Sequence, residues 1–435
     1  MNSTGSIEGD EPGVSLFEMV LALSRALDLV HPSVADHNLK VSYIATSIGR
    51  ELGFTPEQQA ELAIAGALHD IGALSLEERL EINEFEMEDP HRHAERGHRL
   101  LRLFEPFQGA SRLVRYHHVR WDEAGNGDRE EGVPIGSHVI HLADRASLFL
   151  DASREIIGQI NGVLEAVRKH AGSLFHPDLV EAFATVSGRE HFWFDVVSPY
   201  LGSIISEMIE IEAEPMSREE LSSLAGHYSK MIDFRSHYTA SHSSGVAATV
   251  RAMAGIVGLD EADSELMGVA GGLHDIGKLA VPTEILEKPG RLSRNEMNIV
   301  LAHPYFSYRI LKPVSAMETV NNWGSLHHER IDGSGYPFHY GAGDLSLGSR
   351  LMAVSDVFAA TLEDRPYRKG MPPAEVKTLL EGMSSARKLD GELVSVLLDD
   401  FDAMAGVREA ADQKAEEAYR QVFGPESGDA GPGTS

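Results

Sequence analysis

The stretch "GLHDIGKLA" at 272–280 places His274 beside Asp275, with Lys278 one helical turn further on. Around it the C-terminal half of the chain carries His242, His303, the pair His327–His328 and Asp356. Imidazole and carboxylate together suit iron, manganese, nickel or zinc. Seven such side chains are too many for one ion with open positions, and they suit two. The order assigns His242, His274, Asp275 and Asp356 to one ion, and Asp275, His303, His327 and His328 to the other, with Asp275 bridging. A two-ion centre acidifies a water to hydroxide and clamps the attacking and departing oxygens of an in-line displacement at phosphorus. Lys278 is placed to neutralise a phosphate oxygen, and Arg330, Arg365 and Arg368 would supply further local positive charge.

The same pattern occurs earlier. "ALHDIGALS" at 67–75 repeats the His–Asp pair, with Ala73 where the lysine stands. His37, His69, His93, His117 and Asp144 precede His242, His274, His303, His327 and Asp356 by 205, 205, 210, 210 and 212 residues. "LFHPDLV" at 174 precedes "KLDGELV" at 388 by 214. Landmarks in one order with slowly drifting offsets mean an internal duplication. Ten of the 21 histidines fall at matched positions, far more order than satisfied core histidines would show. The first copy therefore keeps a full set of its own: His37, His69, Asp70, His93, His117, His118 and Asp144.

The elements that must hold these residues read as helices. "PEQQAELAIAGALHDIG", "DSELMGVAGGLHDIG" and "SREELSSLAGHYSKMIDF" carry apolar residues at three- and four-residue spacing. Pro56, Pro134, Pro282 and Pro373 stand where helices would start. The expectation is an all-α chain of two tandem helical domains, at 14–190 and 216–410, joined by a helical linker at 191–215. Residues 1–13 and the end of the tail 411–435 are expected to be disordered, given their polar, Gly- and Pro-rich composition.

Composition narrows the partners. The 435 residues contain no cysteine, which excludes disulfides and thiolate ligands. The net charge of −29 repels DNA, RNA and anionic membranes at long range, so an anionic substrate needs a locally positive pocket. The N-terminus is acidic, unlike a signal peptide, and the apolar stretch 14–30 carries Glu18, Arg25 and Asp28, unlike a membrane span. A cytoplasmic protein is expected. A homodimer is open to the chain.

These residues resemble the HD superfamily of metal-dependent phosphohydrolases. The second copy resembles its HD-GYP branch through "HDIGK" (274–278), "HHERIDGSGYP" (327–337) and "DRPYR" (364–368). The first copy is similar only at the broader HD level. The resemblance implies hydrolysis of a cyclic dinucleotide, cyclic di-GMP or 3′,3′-cGAMP, to a linear dinucleotide and in some members on to mononucleotides. It also implies that Lys278, Tyr336, Arg365 and Arg368 contact substrate. Members with a third ion carry Glu four residues before the first His. Here that residue is Tyr238, so two ions are expected in the C-terminal half, with a second pair in the N-terminal half. Ala359 stands where the branch often has an Asp that recognises guanine, which loosens the expectation of strict guanine selectivity. A cyclic-dinucleotide sensor without turnover and a metal phosphatase acting on other nucleotides are the alternatives.

The first copy lacks the lysine, the GYP loop and the "RPYR" segment. Two roles stay open for it: a second phosphohydrolase, or a metal-bound regulatory module. The acidic stretch 122–133 favours regulation, because it would repel phosphate.

Overall fold

The computed structural model describes residues 13–31, 35–81, 89, 91–124, 132–151, 154–209, 215–236, 240–363 and 369–424. Within them the regular structure is helical, and apart from two isolated bridges there is no β-pairing among the described residues. The expected all-α fold is what the chain adopts. The stretches expected to be disordered fall almost wholly on residues 1–12 and 425–435, which lie outside the described residues.

The chain punctuates its helices as local chemistry dictates. Ser15 caps the helix Leu16–Asp28 in a reciprocal box with Glu18, and Ser217 does the same with Glu220 for Arg218–Asp233. Pro56 and Pro373 occupy first-turn positions, where a missing amide proton costs least, while Pro134 and Pro282 immediately precede helices.

Each half is built around two packed helices that carry the first candidate ligands. His37 opens the helix His37–Glu51, which packs on Pro56–Leu68, and His69 follows directly after the latter. In the second half, His242 opens His242–Ile256, which packs on Glu261–Leu273, and His274 follows. His93 and His303 ride at the starts of His91–Leu101 and His303–Leu311. Asp144 and Asp356 lie inside Ile135–Leu148 and Leu347–Leu362.

The halves share one continuous apolar core and exchange their outer elements. The first helix, Leu16–Asp28, packs against the 276–280 turn and the His303 helix of the second half. In return the long last helix, Phe401–Phe423, packs against the His91–Leu101 helix, where Arg99 donates to the Val422 carbonyl at 3.3 Å. His227 of the second half is buried between Phe104 and Phe107 of the first, with ring centroids 5.4 and 5.8 Å apart.

Candidate metal centres

In the C-terminal half, His242, His274 and Asp356 bring ligand atoms within 4.8 Å of one another, and so do His303, His327 and His328. Asp275 stands between the two groups. Its Oδ2 is 3.4 Å from His242 Nε2 and 3.2 Å from His274 Nε2, while its Oδ1 is 3.1 Å from His303 Nε2. One oxygen thus faces each group, the arrangement a bridging carboxylate needs. Asp356 Oδ1 lies 3.4 Å from His242 Nε2 and 4.0 Å from His274 Nε2.

The N-terminal half reproduces this. His37, His69 and Asp70 form one group, and His93, His117 and His118 the other. Asp70 Oδ2 is 3.2 Å from His69 and 3.7 Å from His37, with Oδ1 3.5 Å from His93. Asp144 Oδ1 is 3.4 Å from His37 Nε2.

The donor set fits divalent cations on three counts. Thirteen of the fourteen side chains belong to buried residues with at most 7% exposure, His328 being the exception. Among the described residues, His69 Nε2, Asp70 Oδ1, Asp144 Oδ1, His274 Nε2 and Asp275 Oδ1 are buried without a hydrogen-bond partner. A native interior rarely leaves so many polar atoms unsatisfied, and here they converge. The electrostatics agree: against the pull of burial, Asp70 and Asp144 hold His69 up at about 9, and Glu363 and Asp356 hold His242 up at about 10. Burial instead drives His328 down to about 3 and His117, His118 and His327 well below the usual imidazole range. His117, His118, His327 and His328 are thus neutral donors ready for a cation, while the protons that the carboxylates hold on His69 and His242 are the ones a cation would displace.

Backbone carbonyls orient several rings. His69 and His274 aim Nδ1 at the Gly66 and Gly271 carbonyls, at 2.9 and 2.7 Å. His117 and His327 do so towards Val114 and Gly324, at 2.6 and 2.7 Å, and His303 towards Val300 at 2.7 Å. Each leaves Nε2 for the centre.

The residues expected to handle substrate divide. Lys278 Nζ lies 2.5 Å from Asp275 Oδ2, at the edge of the centre. Tyr336 stacks on His328 at 4.8 Å, and its amide donates to the His328 carbonyl at 3.3 Å. Arg330 Nη1 reaches the carbonyls of His327 and Glu329 at 3.4 and 3.3 Å. Arg365, Arg368 and Tyr238 lie outside the described residues. Ala359 is wholly buried among core residues and offers no surface to a base.

Sequence reasoning missed several supporting residues. Glu329, 1% exposed, accepts from the amides of Phe338 and Tyr340 at 2.7 and 3.0 Å and thereby pins the GYP loop. Gly335 is required beside it, since a Cβ there would lie 2.4 Å from Glu329 Cα. The signal was present: the first copy has Val119 in the matched place and no such loop. Asp28 and Asp233 each precede their first ligand by nine residues, an offset that could have marked them. Asp28 accepts from Asn38 at 2.6 Å, and Asp233 from the Ser243 amide and hydroxyl at 2.7 and 2.9 Å, fixing the start of each ligand helix. Arg145, buried beside Asp144 and bonded to its Oδ2 at 2.7 Å, has Val357 as its counterpart and no signal in spacing.

Two duplicated helical units, each closing five imidazoles and two carboxylates around a buried point, define a tandem protein with two candidate centres for divalent ions. Comparison places it among known proteins. Residues 34–148 and 206–393 each match the HD domain family. The chain belongs to that family, as a tandem whose second copy carries the HD-GYP signature. It is 30% identical over 397 residues to 3′3′-cGAMP-specific phosphodiesterase 1 of Vibrio cholerae, covering 89% of this chain and 92% of that one. It is 45% identical over 141 residues to cyclic di-GMP phosphodiesterase PA4108 of Pseudomonas aeruginosa, covering 32% and 34%. The fold is similar to the crystal structure of a cyclic GMP-AMP specific phosphodiesterase of V. cholerae (V-cGAP3), with a TM-score of 0.63 at 23% identity, covering 89% of this chain and 98% of that one. Among the described residues no helix is long and apolar enough to cross a membrane.

Proposed function

We propose that the chain is a metal-dependent phosphodiesterase that opens a 3′,5′-cyclic dinucleotide, with its working site in the C-terminal half. The observation that carries this is the union of the seven-ligand cluster with Lys278 and the pinned Tyr336 loop in one half of the molecule. His242, His274, Asp275 and Asp356 would hold one ion, and Asp275, His303, His327 and His328 the other. Divalent ions there supply Lewis acidity at the phosphate and acidify a water for in-line attack. Lys278 neutralises a phosphate oxygen, Tyr336 walls the site through its stack on His328, and Arg330 adds positive charge beside them. Arg365 and Arg368 are assigned to substrate contact from the family resemblance alone. Addition of water across one phosphodiester leaves a linear dinucleotide with a phosphomonoester end.

Between the two candidate rings, 3′,3′-cGAMP is favoured. The relative matched over 89% of this chain is named for it, whereas PA4108 and RpfG of Xanthomonas campestris, named for cyclic di-GMP, match over 32% and 36%.

For the N-terminal half we propose a second pair of ions without ring opening, since Ala73, Val119 and the missing GYP loop remove the substrate-handling parts while the ligands persist.

The test is purified protein loaded with iron or manganese and offered both rings, linear dinucleotides and mononucleotides. Ring opening by the wild type, abolished together with C-terminal metal in His274→Ala, is expected. Tight binding without turnover would leave a sensor, and turnover of mononucleotides alone a phosphatase. Activity of His274→Ala towards phosphomonoesters would make the N-terminal half a second phosphohydrolase, and none would make it regulatory.

A further inference from the structure

The two ligand sets are equal in kind, yet the first histidine of each is held differently. His37 Nδ1 lies 3.1 Å from the Ser147 hydroxyl. That hydroxyl donates its own proton to the Asp144 carbonyl at 2.8 Å, which leaves its oxygen to accept from His37. The residue matching Ser147 in the second half, 212 positions on, is Ala359, which has no side-chain polar atom. Glu363, four residues further along, takes over. Its Oε1 lies 2.8 Å from His242 Nδ1, and the residue is 5% exposed.

Both arrangements orient the ring alike, with Nε2 turned to the centre. His37 Nε2 lies 3.4 Å from Asp144, and His242 Nε2 lies 3.4 Å from both Asp275 and Asp356. The difference is charge. A hydroxyl is a neutral acceptor, while a buried carboxylate places a full negative charge behind the ring and makes its free nitrogen a stronger donor to a cation. His69 and His274, and again His117 and His327, show no such asymmetry, since all four face backbone carbonyls.

We propose that Glu363 is a positioning residue that makes the C-terminal centre the tighter divalent-cation site, so that it fills before the N-terminal centre when cation is limiting. The inference rests on the metal-centre reading above. It makes the chain's loading sequential: the half that opens the ring is active at cation levels that leave the other half empty.

The test is titration of metal-free, full-length protein with Mn²⁺ against a competing chelator, for wild type, His69→Ala, His274→Ala, Glu363→Gln and Glu363→Asp. The wild type should show two affinity classes, with the tighter absent from His274→Ala and the weaker from His69→Ala. Glu363→Gln, which keeps the shape and removes the charge, should weaken the tighter class by about 10- to 100-fold. The weaker class in the same chain should not move, and it reports that the protein remains folded. Glu363→Asp should recover part of the lost affinity, a rescue that space-filling alone would not give. Equal classes in the wild type, or a tight class untouched by Glu363→Gln, would overturn the proposal. Manganese content unchanged in His274→Ala would overturn the metal reading beneath it.

Discussion

Arg235 of the C-terminal half holds the carbonyl of Leu74 in the N-terminal half, through Nη2 at 3.1 Å and Nε at 3.3 Å. Its Nη1 reaches back to the carbonyls of Lys278 and Leu279 at 3.0 and 2.8 Å. Thr283 adds a hydroxyl bond to Leu74 at 2.7 Å. The segments "HDIGALS" and "HDIGKLA", equivalent by duplication, are therefore tied together through one buried guanidinium.

Arg235→Ala strands those carbonyls in a buried interface, at a cost of roughly 2–4 kcal/mol. Calorimetry should show a lower Tm, with the single transition broadening or splitting as the halves uncouple. An unchanged melting profile would contradict the link.

Lys278→Met should leave manganese content at the wild-type level and lower ring opening by about 10²- to 10³-fold, the usual effect of removing one charge-stabilising donor. Metal analysis beside initial rates separates this from a loss of ligands. A parallel fall in both would make Lys278 a prop for Asp275 and nothing more.

Gly277 and Gly72 are each fixed by a ligand helix. A Cβ at Gly277 would lie 2.0 Å from the His303 carbonyl oxygen, and one at Gly72 would lie 2.0 Å from that of His93. Neither backbone can yield without moving a ligand. Gly277→Ala and Gly72→Ala should each cost about 3 kcal/mol or more and deplete metal from their own half only. Thermal denaturation with metal counting checks both.

Burial pushes His227 down to about 3, with Lys230 adding to the effect. The unfolded chain takes up this proton near the ordinary 6.5, while the native state refuses it until about 3. Stability from this group is therefore complete above 6.5 and is lost as pH falls towards 3, at up to about 1.4 kcal/mol per pH unit. His227→Phe, which keeps the stack with Phe104, should lose Tm less steeply than wild type between pH 6.5 and 4.5. Parallel curves would show that His227 does not titrate on unfolding.

Much of this molecule is legible in residue order. The duplication, the helical class, the fourteen candidate ligands and the loss of lysine at Ala73 depend only on side-chain types recurring at matched offsets, and those offsets survive because helices of set length must carry each ligand to its place. The tertiary structure decided the rest. Glu363 meets His242 across 121 residues, Arg235 meets Leu74 across 161, and Asp275 turns one oxygen to each group of histidines. No local periodicity encodes such meetings. They arise because a duplicated chain packs one copy against the other, and only the packed core settles which atoms face each other.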